Sequence, residues 1–119
     1  MNAEKIIKLK ADSLYSSLTS KNIFSNFFYK SILHNAVVME IFSANKTNGI
    51  SYEKLCSDIP KLLGSRSSIQ NLLNEGLDKK ILKKIENKED KRIKNYYLSD
   101  DFSEMIFEWI KSQKQIFNS

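Results

Sequence analysis

Apolar and polar residues recur with a helical period along most of this chain. In residues 4–18, Ile7, Leu14 and Leu18 lie near helical spacing, which predicts a first helix. Residues 21–44 are richer in apolar side chains, which recur at steps of three and four. Because these side chains cover much of the circumference, we expect one continuous helix, central to the core or in a subunit contact.

Two shorter helices are predicted next, separated by a turn. Ser51 is placed to cap the first of them. Pro60 ends it, because proline offers no amide proton and clashes with the preceding turn. The second begins at residues 65–68 and directs Ile69 and Leu73 inward, with polar residues on its opposite face.

The chain then changes from a helical to a strand pattern. Residues 81–85 and 93–98 are rich in Ile and Tyr and flank a charged tip, which predicts a β-hairpin. Ser99 or Asp100 caps a last helix, whose apolar stripe runs from residue 102 to 117. At 119 residues the chain fits one mainly α domain with a small hairpin, an α+β class.

Charge is concentrated in the predicted hairpin. Between Lys79 and Lys94 the chain carries eight Lys or Arg against three acids, a net +5 that equals the formal charge of the whole chain. Such a basic ribbon is a candidate surface for a polyanion. The alternative is a solvated edge hairpin, because lysine also discourages strand pairing at sheet edges.

Composition argues against several other classes of protein. No apolar run reaches the roughly 20 residues of a membrane span, and the N-terminus lacks the apolar region of a secretion signal. The single cysteine, Cys56, excludes an internal disulfide and fits a reducing compartment. A cytoplasmic protein without membrane partners is expected.

Catalytic and metal-binding patterns are not found. The chain has no glycine-rich phosphate loop and no Ser-His-Asp set. His34 has no Cys, His or paired carboxylate at ligand spacing, so it is read as a core or interface histidine rather than a metal ligand. Cys56 is read as packing, since no second cysteine could resolve a redox switch. No enzyme activity, cofactor or metal is expected.

Four short stretches between Ser67 and Ser99 match a known family in order and in spacing, with no insertion relative to the family pattern. They are SSIQNLL at 67–73, ILKK at 81–84, EDKR at 89–92 and YLS at 97–99. In this order they resemble the recognition helix, basic strand, wing tip and following helix start of the multiple-antibiotic-resistance regulator (MarR) family. The resemblance covers residues 50–99 well and the flanking helices only by position.

The resemblance implies a winged helix-turn-helix with extra N- and C-terminal helices. It implies a sequence-specific regulator of transcription that binds double-stranded DNA through residues 50–99. The helices within 1–20 and 100–119 would form homodimer contacts, because the apolar stripe of the last helix needs a surface to pack against. The alternative is a winged-helix protein-interaction module without DNA binding, since both uses occur on this fold.

Specific residues on the second short helix are candidates for DNA contact. Arg66 could bind guanine bidentately, and Gln70 or Asn71 could bind adenine, while Ser67 and Ser68 could hold phosphate. The whole set is Ser65, Arg66, Ser67, Ser68, Gln70, Asn71 and Asn74. The alternative is that these polar side chains only cap and solvate an exposed helix.

The hairpin supplies the second group of candidates. The resemblance places Arg92 at the wing tip as a minor-groove reader, with Asp90 orienting its guanidinium. A surface ion pair worth under about 1 kcal/mol is the alternative. Phosphates would be held by Lys83, Lys84, Lys88, Lys91 and Lys94. About half of these lysines are expected to matter, because alternate strand residues face opposite sides.

The chain departs from the family pattern in three places. The turn at 59–64 is about three residues longer than usual. Gly76 replaces an apolar residue inside the recognition helix, and Lys80 replaces the glycine that ends it, at a left-handed position. We therefore expect the helix to end nearer Gly76. The resemblance also allows an effector pocket lined by Phe24, Phe27, Phe28 and Tyr29, although aromatics at helical spacing are more typical of core.

Overall fold

A computed structural model describes residues 1–119. It contains six helices and three strands, which confirms the predicted mainly α architecture with a small sheet. In chain order the elements are α1 (Ala3–Thr19), α2 (Ile23–Phe28), α3 (Ile32–Ala44), β1 (Ile50–Ser51), α4 (Tyr52–Asp58), a 3-10 turn (Lys61–Leu63), α5 (Arg66–Asp78), β2 (Leu82–Glu86), β3 (Lys94–Leu98) and α6 (Asp100–Phe117).

Serine side chains begin the three helices around the predicted DNA-binding lobe. Ser51, Ser65 and Ser99 cap α4, α5 and α6, and each accepts a hydrogen bond from the backbone N–H three residues later. An N-cap of this kind satisfies an amide that the helix leaves unpaired. The helix starts predicted from the sequence are therefore confirmed, and of the two candidates for the start of α6 the cap is Ser99.

The prediction of one continuous helix over residues 21–44 was wrong. Tyr29 closes α2, and Ser31 begins α3 with an extended backbone and a side chain that accepts from the His34 N–H. The apolar pattern continues across this corner, so periodicity alone did not reveal it. The corner places Phe28 against Trp109 of α6, with 5.1 Å between ring centroids.

The sheet has three antiparallel strands in the order β1-β3-β2. The predicted hairpin is present, with Leu82 opposite Leu98 and Glu86 opposite Lys94. The sequence did not predict β1, whose two residues place Ile50 opposite Tyr96. The added strand fixes the base of the hairpin to the loop that follows α3.

α5, the predicted recognition helix, also ends later than expected. α5 continues through Gly76 to Asp78, so the predicted end near Gly76 was wrong. Lys80 takes the left-handed conformation (φ 59°) that its position suggested. The Ile81 N–H donates to the Gly76 carbonyl at 2.9 Å, and the Lys80 N–H donates to the Leu77 carbonyl at 3.1 Å. These bonds satisfy the last carbonyls of the helix as a Schellman motif does.

The molecule is elongated, with principal extents of 51 × 27 × 27 Å. Its core lies where α2, α3, α5, α6 and the sheet meet, around the fully buried Phe27, Phe28 and Phe102. α1 packs on α6 outside that core, where the buried Gln113 contacts the Lys10 ammonium. None of the helices is long and apolar enough to cross a bilayer.

Candidate nucleic-acid interface

The polar side of α5 forms one exposed face. Ser67, Asn71 and Asn74 are exposed and follow one another at steps of four and three, while Gln70 between them is half-buried. On the opposite side Ile69, Leu72 and Leu73 are buried in the core. The sequence-predicted candidates on this helix therefore share one surface.

Two of the amides on this face bind each other. The Gln70 Nε2 donates to Asn74 Oδ1 at 3.1 Å, whereas the Asn71 side chain makes no hydrogen bond within the chain. At the helix start, Ser65 Oγ lies 3.0 Å from Ser68 Oγ and accepts from the Ser68 N–H. Asn71 is thus the amide that is free to meet a ligand without breaking an internal contact.

Arg66 is held by two residues of α4. One guanidinium nitrogen donates to Glu53 Oε1 at 2.5 Å, and the guanidinium carbon lies 5.1 Å from the centre of the Tyr52 ring. The hydrogen bond to Glu53 raises the pKa of Arg66 above its ordinary value. Sequence reasoning missed Glu53 and Tyr52. The only sequence signal for these two residues is their position. Tyr52 and Glu53 directly follow the helix cap Ser51, and Arg66 directly follows the helix cap Ser65. In the structure the first turns of α4 and α5 lie side by side.

The wing tip carries a two-point ion pair. Arg92 Nε donates to Asp90 Oδ1, and a terminal guanidinium nitrogen donates to Asp90 Oδ2, both at 3.0 Å. This bond lowers the pKa of Asp90 and raises that of Arg92. The Asn87 side chain orders the same tip, since its oxygen accepts from the Glu89 and Asp90 amides. The predicted orientation of Arg92 by Asp90 is present, with the arginine side chain 90% exposed.

The basic residues of the wing divide into paired and unpaired groups. Lys83 lies 3.8 Å from Asp100, and Lys94 lies 2.6 Å from Glu86. The cations of the ribbon that make no ion pair are Lys80, Lys84, Lys88 and Lys91. All four are exposed, so the excess positive charge of the chain faces solvent at the wing.

Glu75 anchors the inner side of α5 to the α2–α3 corner. Its carboxylate accepts from Lys30 at 2.7 Å and Lys79 at 2.8 Å, and lies 3.0 Å from the His34 ring. Burial opposes ionisation of Glu75, but these hydrogen bonds outweigh it and lower its pKa to about 2. His34 also lies 2.7 Å from Ser31 Oγ. The histidine is a linking residue between helices.

The other candidates predicted from the sequence, the four aromatic residues of the effector pocket and Cys56, lie in the hydrophobic core or pack against it. Phe27 and Phe28 are fully buried, and Tyr29 accepts a hydrogen bond from the Trp109 indole at 2.8 Å. Only Phe24 of the four aromatics borders the open groove of about 650 Å³ that Trp109 also lines. Cys56 is half-buried and packs against the core.

Comparison with known proteins identifies the fold. No protein-family model matches the sequence, and no curated protein matches it. Among solved structures, S. aureus MepR bound to ethidium bromide aligns with a TM-score of 0.61 and 13% identity, covering 99% of this chain and 76% of MepR. Streptococcus pneumoniae FabT in complex with DNA aligns with a TM-score of 0.60 and 13% identity, covering 98% and 80%. MarR aligns with a TM-score of 0.52 and 15% identity, covering 92% and 78%.

Proposed function

We propose, from the MarR-type winged-helix fold of this chain, that the protein binds double-stranded DNA sequence-specifically and regulates transcription. One observation carries the proposal: the exposed polar face of α5 lies on the same lobe as a wing with three unpaired lysines, Lys84, Lys88 and Lys91, and an oriented arginine. The neighbours include FabT in complex with DNA. A helix with polar side chains beside a cationic ribbon is what a major groove and its flanking phosphates require.

The two parts of the surface would have different tasks. Arg66 and Asn71 would read base edges, because a major groove admits a helix and presents a distinct pattern for each base pair. Arg92 would enter the minor groove, while Lys84, Lys88 and Lys91 would hold phosphates. The helix would thus supply sequence preference, and the wing would supply affinity.

A homodimer would bring two such surfaces to one DNA site. Three apolar residues of α1, Ile7, Leu14 and Leu18, are exposed in the single chain, as is Phe117 at the end of α6. Apolar residues gathered on projecting helices mark a protein-interaction surface. A twofold dimer through these helices would place its recognition helices about one DNA turn apart.

Selection of bound duplexes from a random pool tests the proposal. A palindromic consensus with half-sites about one helical turn apart is expected. In a shift assay, Arg66→Ala or Asn71→Ala should relax the preference among sequences. Arg92→Ala and a Lys83/Lys84 double alanine variant should weaken binding to all sequences. Replacing the unpaired Lys84 should also lower the salt slope of log K by about 1.

Two results would contradict the proposal. One is no enrichment from the random pool, and the other is unchanged affinity in every variant. Either result favours the protein-interaction module, in which the basic wing docks on an acidic partner. Lys21→Gln is the matched control, because Lys21 is exposed and makes no ion pair, like Lys84, and lies between α1 and α2, outside the proposed DNA surface.

A further inference from the structure

The chain has only two arginines. Both lie on the proposed DNA surface, and each forms an ion pair with a carboxylate. Arg92 is paired with Asp90 two residues away, within the same turn of the wing. Arg66 is paired with Glu53, thirteen residues away and on another helix. The second pairing joins α4 to α5, so α4 contributes to the position of a candidate base reader.

Glu53 uses only one of the hydrogen-bond donors of the Arg66 guanidinium. The pair is formed by one terminal nitrogen, and the guanidinium makes no other hydrogen bond within the chain. A guanidinium has five N–H donors in a rigid fork, so a full edge stays available for the two acceptors of guanine. The Arg66 side chain is 59% exposed, so that edge is accessible.

Tyr52 restrains the same residue at two further points. Its ring lies beneath the guanidinium at 5.1 Å, and its hydroxyl donates to the Arg66 carbonyl at 3.1 Å. Arginine has a long, flexible side chain whose rotamer entropy is lost on binding. A side chain already held against a ring and a carboxylate loses less of that freedom when it meets a base, which favours the sequence it fits.

We propose that Glu53, together with Tyr52, is a positioning residue that presents Arg66 to a guanine and thereby sets the sequence preference of the recognition helix. The inference rests on the proposed DNA-binding function. Glu53 acts through Arg66 and makes no base contact of its own. Removing its charge should therefore reduce discrimination at the base pair that Arg66 reads, even though general attraction to DNA rises.

The free protein provides a test that needs no DNA. Because Arg66 and Arg92 are the only arginines, their two side-chain Nε–H groups give two NMR signals that can be assigned by Arg66→Ala. In Glu53→Gln, the ¹⁵N heteronuclear NOE of the Arg66 signal should fall while that of Arg92 is unchanged. An unchanged Arg66 signal would overturn the proposal whatever the protein binds.

The DNA test uses the duplex selected by the wild-type protein and its single-base-pair variants. Arg66→Ala identifies the base pair that Arg66 reads, because this variant should lose its preference there. At the same base pair, Glu53→Gln should lose at least about fivefold of the wild-type preference, which is the low end of the discrimination that a bidentate contact gives. In an Arg66→Ala background, Glu53→Gln should change that preference by less than about twofold. Asp58→Asn is the matched control, because it removes one paired acid from the same helix.

The outcomes separate this inference from the proposed function. If the wild-type protein selects a site but Glu53→Gln behaves like Asp58→Asn, only the inference is overturned. The same holds if Glu53→Gln sharpens the preference, which would make Glu53 a competitor for Arg66. If the wild-type protein selects nothing, both fall, although the NMR result still shows whether Glu53 restrains Arg66.

Discussion

Lys80 is held in a left-handed backbone conformation that is unfavourable for residues other than glycine. Its φ is 59°, and the end of α5 depends on it because the adjacent amides close the helix. Replacement by glycine should raise the free energy of unfolding by about 1 kcal/mol, the strain removed at such a position. Urea unfolding measures the change. Lys80→Ala removes the same charge and keeps the strained backbone, so equal stability of the two variants would contradict the prediction.

The backbone of Gly76 is helical and would accept any residue, so it is close packing that requires a glycine there. A Cβ built there would lie 2.6 Å from Leu82 Cδ1 and 3.4 Å from Phe27. Gly76→Ala gains about 1 kcal/mol of helix propensity, but moving a buried leucine costs about 1–3 kcal/mol. The variant should lose about 1 kcal/mol of stability in urea unfolding. In a Leu82→Ala background the same change should stabilise, and a loss in both backgrounds would show that the contact with Leu82 is not the cause.

At the scale of elements, Glu75 joins α5 to the corner between α2 and α3. Its pKa is lowered to about 2 from an ordinary value of 4.5, so its stabilising effect is present above pH 4.5 and lost as the pH falls towards 2. Between pH 7 and pH 3 the wild-type protein should lose on the order of 2 kcal/mol more than Glu75→Gln. Unfolding in urea at both pH values measures this difference. Glu104→Gln, an exposed carboxylate without an ion pair, should retain the wild-type pH dependence.

Elements that depend on local signals were predicted well from the sequence. Ser51, Ser65 and Ser99 mark helix starts through their side-chain oxygens, and Pro60 marks a helix end through its missing N–H; the structure confirms all four. The corner before Ser31 was missed because the apolar pattern continues across it. β1 was missed because a two-residue strand has no period of its own and forms only by pairing with β3.

The candidate site shows the same division between local and tertiary information. Asp90 and Arg92 are two residues apart, so their pairing was predictable. The contacts of Glu53 with Arg66 and of Glu75 with Lys30 join residues distant in sequence, and only the packing of helices brings them together. Sequence therefore predicted which residues lie on the surface better than which of them are restrained.

At the scale of the molecule, the exposed apolar positions of α1 are the strongest indication of a partner. Ile7 is 64% exposed and Leu14 is 40% exposed, although both lie at the spacing of a buried helix face. We expect the wild-type chain to sediment as a dimer and an Ile7→Glu/Leu14→Glu variant as a monomer. The variant should keep the helical circular-dichroism spectrum of the wild type, because neither side chain is buried within one chain, and its melting temperature should fall only by what dimerisation contributes.

The consequence for DNA follows from symmetry. A dimer binds a two-half-site duplex through both recognition helices, whereas a monomer meets one half-site at a time. The variant should therefore bind the palindrome and a single half-site with similar affinity, while the wild type prefers the palindrome. Met39→Glu is the matched control, because Met39 is 44% exposed, much like Leu14, but lies on α3, outside both α1 and residues 50–99. A variant that stays dimeric would exclude this face of α1 from the contact, and the exposed Phe117 of α6 would become the next position to change.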